Sequence, residues 1–184
     1  MKKRPLGQTG IMVSPLGLGT VKFGRNIGVK YPTSFELPSD KELSHLIEMA
    51  LALGINVIDT APAYGTSEQR LGSLLKHCRH QFCLITKVGE EFQRGSSTFD
   101  FSQEHINYSI KRSLQRLQTD YIDVVLIHSD GNDLNIINHS DAIPTLRQLQ
   151  SEGIIKAIGM STKTVPGGIE AVKLIDLVMV TYNL

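Results

Sequence analysis

The stretch VIDTAPAYG, residues 57–65, runs from an apolar, β-branched piece into Asp59, and a phenol, Tyr64, follows just before a glycine. Valine and isoleucine at this density favour a buried strand. Working outward, DKELSHLIEMALALG (residues 40–54) places Leu43, Leu46, Ile47, Ala50 and Leu51 at helical spacing. Ser39 or Asp40 is the expected N-cap, and Gly54 is well placed to end the helix. Upstream again, SPLGLGT (14–20) is the first buried run. Downstream, a helix near 67–75 leads to the strand FCLITKV (82–88). The helix SQEHINYSIKRSLQRLQ (102–118) carries Ile106, Ile110, Leu114 and Leu117 on one face and is followed by the strand YIDVVLIH (121–128). A helix across 141–151 precedes IKAIGMS (155–161), then a weaker helix GGIEAVKLI (167–175) and a last strand LVMVTYN (177–183).

This reading gives six strands with five helical stretches between them. The strands are near-continuous apolar runs, as in parallel sheets covered on both faces. Strand–helix alternation without an internal repeat or low-complexity linker predicts one α/β domain over residues 1–184. The polar residues at the strand ends choose between a doubly wound sheet and a barrel. The first strand ends at Gly19-Thr20, the second at Asp59, the third at Lys87, the fourth at His128, the fifth at Ser161 and the sixth at Tyr182-Asn183. Only a barrel brings six consecutive strand ends around one mouth, where barrel enzymes keep their sites. The expected fold is therefore of the (β/α)8 TIM-barrel type, with about six of the eight strand–helix units in this chain. A full barrel needs about 250 residues, so the domain is expected to be C-terminally incomplete. RPLGQTGIMVS (4–14) reads as a small hairpin that plugs the bottom of the barrel, or as an N-terminal arm.

Each candidate side chain also has a plain structural reading. Asp59 is a possible cap for the helix that follows it, Tyr64 a packing tyrosine, and His128 a hydrogen-bonded core histidine. Lys87 is harder to explain structurally, because an unpaired ammonium at the end of an apolar strand costs several kcal/mol unless a carboxylate lies near. All four stand at or just beyond the ends of neighbouring strands.

Composition removes other classes. The 184 residues are 41% hydrophobic and 20% charged, with a net charge of +1, so nothing points to a nucleic-acid partner or an anionic membrane surface. No apolar run is long enough for a membrane span, and the basic start MKKRPLGQTG lacks the apolar stretch of a secretory signal. Two cysteines, Cys78 and Cys83, do not make a zinc site. Reduced thiols and a cytoplasmic location are the expectation.

PLGLGT (15–20), GINVIDTAPAYGTSEQRLGSLL (54–75), LITKVG (84–89), SIKRSLQRLQTDYIDVVLIH (109–128) and GIIKAIGMST (153–162) together resemble the aldo-keto reductases of bacterial type, in order and in spacing. The resemblance implies an NADP(H)-dependent oxidoreductase that reduces small-molecule aldehydes or ketones by hydride transfer. It implies a catalytic tetrad on Asp59, Tyr64, Lys87 and His128, and a cofactor site that includes Gly19, Thr20, Asp59, Ser161 and Thr162, with no metal. Chemically the set is coherent. A free phenol, with a pKa of about 10, is a sluggish acid near neutrality. Lys87 would lower that value, Asp59 would keep Lys87 charged, Tyr64 would act as general acid and His128 would donate to the carbonyl oxygen. GLGTVKFG (17–24) lacks the third glycine of a Rossmann fingerprint, in keeping with a barrel that binds the dinucleotide across its mouth. Thr162 and Met179 stand where the family often has asparagine and glutamine to grip the nicotinamide carboxamide. The other class the residues allow is a non-catalytic binding or subunit protein on the same scaffold, or an inactive barrel.

Overall fold

The structure is a computed structural model that describes residues 1–29 and 31–182. The chain opens with a two-stranded antiparallel hairpin of β1 (Arg4–Pro5) and β2 (Met12–Val13). It continues through β3 (Gly17–Gly19), α1 (Val21–Gly24), α2 (Asp40–Ala52), β4 (Val57–Asp59), α3 (Ser67–Leu74) and β5 (Cys83–Val88). A second hairpin, β6 (Glu90–Gln93) and β7 (Ser96–Phe99), leads into α4 (Gln103–Leu117) and β8 (Ile122–His128). Then come α5 (Asp133–His139), α6 (Ala142–Ser151), β9 (Ile155–Ser161), α7 (Val165–Leu174) and β10 (Leu177–Met179).

β3, β4, β5, β8, β9 and β10 form one parallel sheet in that order, so each main strand lies beside the next in sequence. With the helices on its outer face this is a section of a (β/α)8 barrel, as the strand ends implied. Apolar side chains of the strands serve both layers. Val125 and Ile127 of β8 pack outward with Ile106 and Ile110 of α4 and Leu146 of α6. Val124 and Leu126 pack inward with Cys83, Ile85 and Ala157. Leu6, Ile11 and Val13 of the first hairpin rest against this inner cluster, so that hairpin is a plug and not an arm. Each such aliphatic side chain contributes about 1.5–3 kcal/mol by leaving water.

Local signals explain the helix ends. Ser39 caps α2 in a capping box: its hydroxyl accepts from the Glu42 amide, and its own amide donates to Glu42 Oε2 at 2.8 Å. Leu43, Ile47 and Ala50 form the buried stripe of α2. Ser102 caps α4 by accepting from the His105 amide at 3.3 Å.

Three features depart from the sequence reading. Two helices, α1 and α5, and the β6–β7 hairpin were not anticipated. The last strand ends at Met179, well before 182. Met179 pairs with Ser161, the last residue of β9, so the ladder that would hold Val180–Tyr182 has run out, and Tyr182 is 91% exposed. Asn183 lies outside the described residues. Among the described residues, no helix is long and apolar enough to cross a membrane. Both cysteines are free, and burial pushes the Cys83 thiol up to about 12.

Candidate active site

Four main strands point Asp59, Lys87, His128 and Ser161 toward the same end of the sheet. Lys87 is the centre of the group. Its side chain is only 2% exposed, and Nζ lies 2.6 Å from Asp59 Oδ1. The ammonium also donates to the Thr60 carbonyl at 2.9 Å and sits 4.7 Å from the centre of the Tyr64 ring. Asp59 therefore pairs with Lys87 and is not a helix cap; Thr66 occupies the N-cap of α3. His128 meets Tyr64 edge to face, with ring centres 6.3 Å apart and planes at 87°. The four residues expected to act together are thus brought together.

The loop between Asp59 and α3 holds Tyr64 in place by backbone bonds. The Thr60 amide donates to the Ile85 carbonyl, the Tyr64 amide to the Ala61 carbonyl and the Ser67 amide to the Tyr64 carbonyl. Ala61 and Ala63 are fully buried. Gly65 has φ +62, and a Cβ there would lie 2.1 Å from the Gly24 carbonyl oxygen, so only glycine allows this loop to press against α1. Glu68, fully buried, accepts from Thr86 Oγ1 at 2.7 Å and pairs with Arg116 at 3.3 Å, tying the first turn of α3 to β5 and α4.

Tyr64 does not titrate as the sequence reading expected. Burial raises its pKa above the ordinary tyrosine value, Lys87 pulls it down, and Asp59 adds to the rise. Burial wins because Asp59 offsets part of the effect of the ammonium. The phenol keeps its proton at neutral pH, the form a proton donor needs.

The cofactor candidates divide. Gly19 is exposed beside Asp59, its partner in the β3–β4 register, and a Cβ there would meet nothing within 4 Å. Ser161 is half-buried, lies opposite His128 in the β8–β9 register and, among the described residues, makes no side-chain hydrogen bond. Thr20 is not presented to the mouth. It is fully buried, its hydroxyl donates to the Asp59 carbonyl at 2.8 Å, and Ser67 Oγ donates back to it at 2.8 Å. It fastens β3 to β4. Thr162 is also buried and turned away. Its hydroxyl faces Gly168 of α7 in a cleft of about 420 Å³ that Val178 and Val180 also line. Its amide donates to the Met179 carbonyl, so the two positions that depart from the family pattern bond to each other. Among the described residues, no group of histidines, cysteines and carboxylates could hold a metal ion.

Sequence reasoning missed two neighbours of the tetrad. Glu90, which opens β6, places Oε2 2.7 Å from His128 Nδ1, and its other oxygen accepts from Ser97 Oγ at 2.6 Å. Burial pushes this carboxyl up, but His128, Ser97 and the Arg25 charge outweigh it and hold the pKa at about 2. Arg25 donates to the Ala63 carbonyl at 3.2 Å and stacks on Phe92 with 3.3 Å to the ring centre. It joins α1, the tyrosine loop and the second hairpin. The available signal was Arg94-Gly95 between Glu91-Phe92-Gln93 and Ser97-Thr98-Phe99. Both turn residues have positive φ, as a two-residue hairpin turn of this hand requires.

A buried lysine held by a carboxylate thus stands beside a tyrosine and a histidine at the C-terminal ends of barrel strands. The chain belongs to the aldo/keto reductase family, whose model matches residues 15–184. Its fold is that of a crystal structure of a candidate aldo-keto reductase from Pseudomonas aeruginosa, with a TM-score of 0.93 and 55% identity over 99% of this chain and 68% of that one. It is 34% identical to the uncharacterized oxidoreductase YqkF of Bacillus subtilis, over 88% of this chain and 49% of that protein. It is 36% identical to the NADH-specific methylglyoxal reductase of Escherichia coli, over 86% of this chain and 51% of that protein. The chain thus spans about half the length of these two curated relatives.

Proposed function

We propose that residues 1–184 form one barrel unit that carries the proton-transfer machinery of a cytoplasmic, NADP(H)-dependent carbonyl reductase acting on small-molecule aldehydes or ketones. The observation that carries the reading is Lys87 Nζ, buried between the Asp59 carboxylate and the Tyr64 ring. No structural need calls for an ammonium at that depth, and active sites are where such groups are arranged to tune a proton donor. The family membership, the E. coli methylglyoxal reductase and a yeast relative named D-arabinose 1-dehydrogenase support a carbonyl or sugar substrate.

The mouth suits a nicotinamide. Gly19 leaves open space beside Asp59, and the Ser161 hydroxyl, which makes no hydrogen bond among the described residues, lies next to His128 and would serve a carboxamide. Gly19, Asp59 and Ser161 would hold the ring. When bound, the cofactor supplies the hydride, which no side chain can provide. As the carbonyl oxygen gains negative charge, Tyr64 delivers its proton to it. Lys87 stabilises the phenolate left behind, and Asp59 keeps Lys87 charged. His128 donates to the same oxygen and orients it. Two free thiols, one of them buried, suit a reducing compartment. The preference for the phosphorylated dinucleotide rests on resemblance, and fluorescence titration with NADPH and NADH tests it; tighter NADH binding would reverse it.

The test of the reaction is NADPH consumption with 4-nitrobenzaldehyde by the intact protein. Tyr64→Phe is expected to lower kcat by about 10²–10⁴, the worth of a positioned proton donor, with cofactor affinity held. Unchanged turnover in Tyr64→Phe refutes the role given to Tyr64. No turnover in the parent protein, with NADPH still bound, would favour the non-catalytic binding reading.

A further inference from the structure

We infer that Glu90 is a positioning residue for His128: its carboxylate holds a proton on Nδ1, so that His128 donates from Nε2 to the substrate oxygen only as the imidazolium. The inference rests on the reading of the site given above. β5 ends at Val88 and β6 begins at Glu90, which puts Glu90 beside His128 at the end of β8. Glu90 Oε2 approaches Nδ1 to 2.7 Å, and both side chains are largely buried, with 12% exposure for Glu90 and 16% for His128. The approach is off the N–H axis, so Nδ1 makes no aligned hydrogen bond, and the 2.7 Å contact is one of charge and proximity. The carboxylate is itself fixed by Ser97 Oγ and faces the Arg25 guanidinium, both of which favour its ionised form.

The consequence follows from imidazole chemistry. A neutral imidazole carries one proton, and an anion beside Nδ1 keeps it there. Nε2 is then an acceptor and has nothing to give a carbonyl oxygen. A second proton on Nε2 restores a donor. The other charged or titratable groups near this face, among the described residues, are Tyr64, Lys87 with its partner Asp59, and Arg25, which faces Glu90. Tyr64 presents its ring to His128, and Lys87 is already paired with Asp59. Glu90 is therefore the one anion in contact with the imidazole among the described residues. Its role parallels that of a buried carboxylate which sets the tautomer of a catalytic histidine.

The experiment combines nitrogen NMR with kinetics on the intact protein. With 15N-labelled histidine, His128 is assigned by its loss in His128→Gln. In the parent protein the neutral form of His128 is expected to carry its proton on Nδ1. In Glu90→Leu it is expected to move to Nε2. For aldehyde reduction, KM for NADPH is expected to be little changed in Glu90→Leu. Glu90→Asp, which keeps the charge, is expected to keep the Nδ1 tautomer. An Nε2 proton in the parent protein, or the same tautomer in parent and Glu90→Leu, would overturn the inference. The NMR result does not depend on turnover, so failure of the reductase reading, seen as an inactive parent, is distinguishable from failure of this one.

Discussion

Removing the Lys87 ammonium tests the site through stability alone, whatever the substrate. In Lys87→Met the chain keeps an apolar stem of similar length, Asp59 loses its counter-ion at 2.6 Å and the Thr60 carbonyl loses a donor at 2.9 Å. Breaking a buried ion pair from one side costs about 3–5 kcal/mol. Asp59 is 21% exposed and reaches water, so the loss falls at the lower end, about 3 kcal/mol. Asp59→Leu leaves the opposite orphan. Lys87 is 2% exposed and keeps only the Thr60 carbonyl and the Tyr64 ring, so about 4 kcal/mol is expected. In the double variant no charge is stranded. What is left is the unpaired Thr60 carbonyl and imperfect apolar packing, together about 4 kcal/mol. The coupling is then about 3 kcal/mol, at the upper end for contacting residues. Urea unfolding of the four proteins, read at the midpoint with the slope checked for constancy, measures it. Additive losses would mean that the pair contributes no net coupling. A smaller loss for Asp59→Leu than for Lys87→Met would mean that the lysine is not the more deeply buried partner.

In kinetics, Lys87→Met and Tyr64→Phe are expected to be non-additive in kcat, because a lysine that tunes the phenol has nothing to tune once the hydroxyl is gone; fully additive losses would give Lys87 an independent role. Acid is expected to weaken the fold through Glu90. Its pKa is lowered from 4.5 to about 2, so its contribution is complete above about 4.5 and disappears as pH falls toward about 2. Asp133 and Asp176 are depressed too and act in the same direction. Urea midpoints measured across that range should fall less steeply in Glu90→Gln, and an unchanged slope would contradict the assignment. Gly159→Ala puts a Cβ 2.6 Å from Leu126 Cδ2 and 2.7 Å from the Leu177 carbonyl oxygen, and a loss of about 1–3 kcal/mol is expected from such overpacking. Gly19→Ala meets open space and is expected to stay within about 0.5 kcal/mol of the parent in the same unfolding assay.

The strand ends were legible because a parallel strand buried on both faces is a continuous apolar run, so the first polar residue after it marks the mouth. That is how Asp59, Lys87, His128 and Ser161 stand out without a structure. Asp133 shows what such reading leaves out. It opens α5, is 1% exposed and accepts from Ser129, from Thr164 Oγ1 at 2.7 Å and from the Lys163 and Thr164 amides, joining the loops after β8 and β9. In sequence it is one polar residue in a polar loop, and nothing local shows that three backbone and side-chain donors from thirty residues away converge on it. Glu90 was hidden for a related reason. Its partner His128 is supplied by a different strand, and the hairpin that carries it is short and exposed along β7.

The side chains of Thr20 and Thr162 are buried, and a rule of strands explains where they lie. Successive residues of a strand point to opposite faces. Ser161 pairs with His128 in register and faces the mouth with it. Thr162 is the next residue, and alternation turns it toward the helix layer, where its hydroxyl meets Gly168. Thr20 likewise follows Gly19, which is exposed beside Asp59, and its side chain turns toward the Asp59 carbonyl and Ser67 of α3. Reading strand ends locates the rim of the barrel, but only counting by twos from a residue of known facing decides which side chains look into it. On that count Gly19, Asp59 and Ser161 face the mouth, while Thr20 braces the strands behind them and Thr162 meets the neighbouring helix.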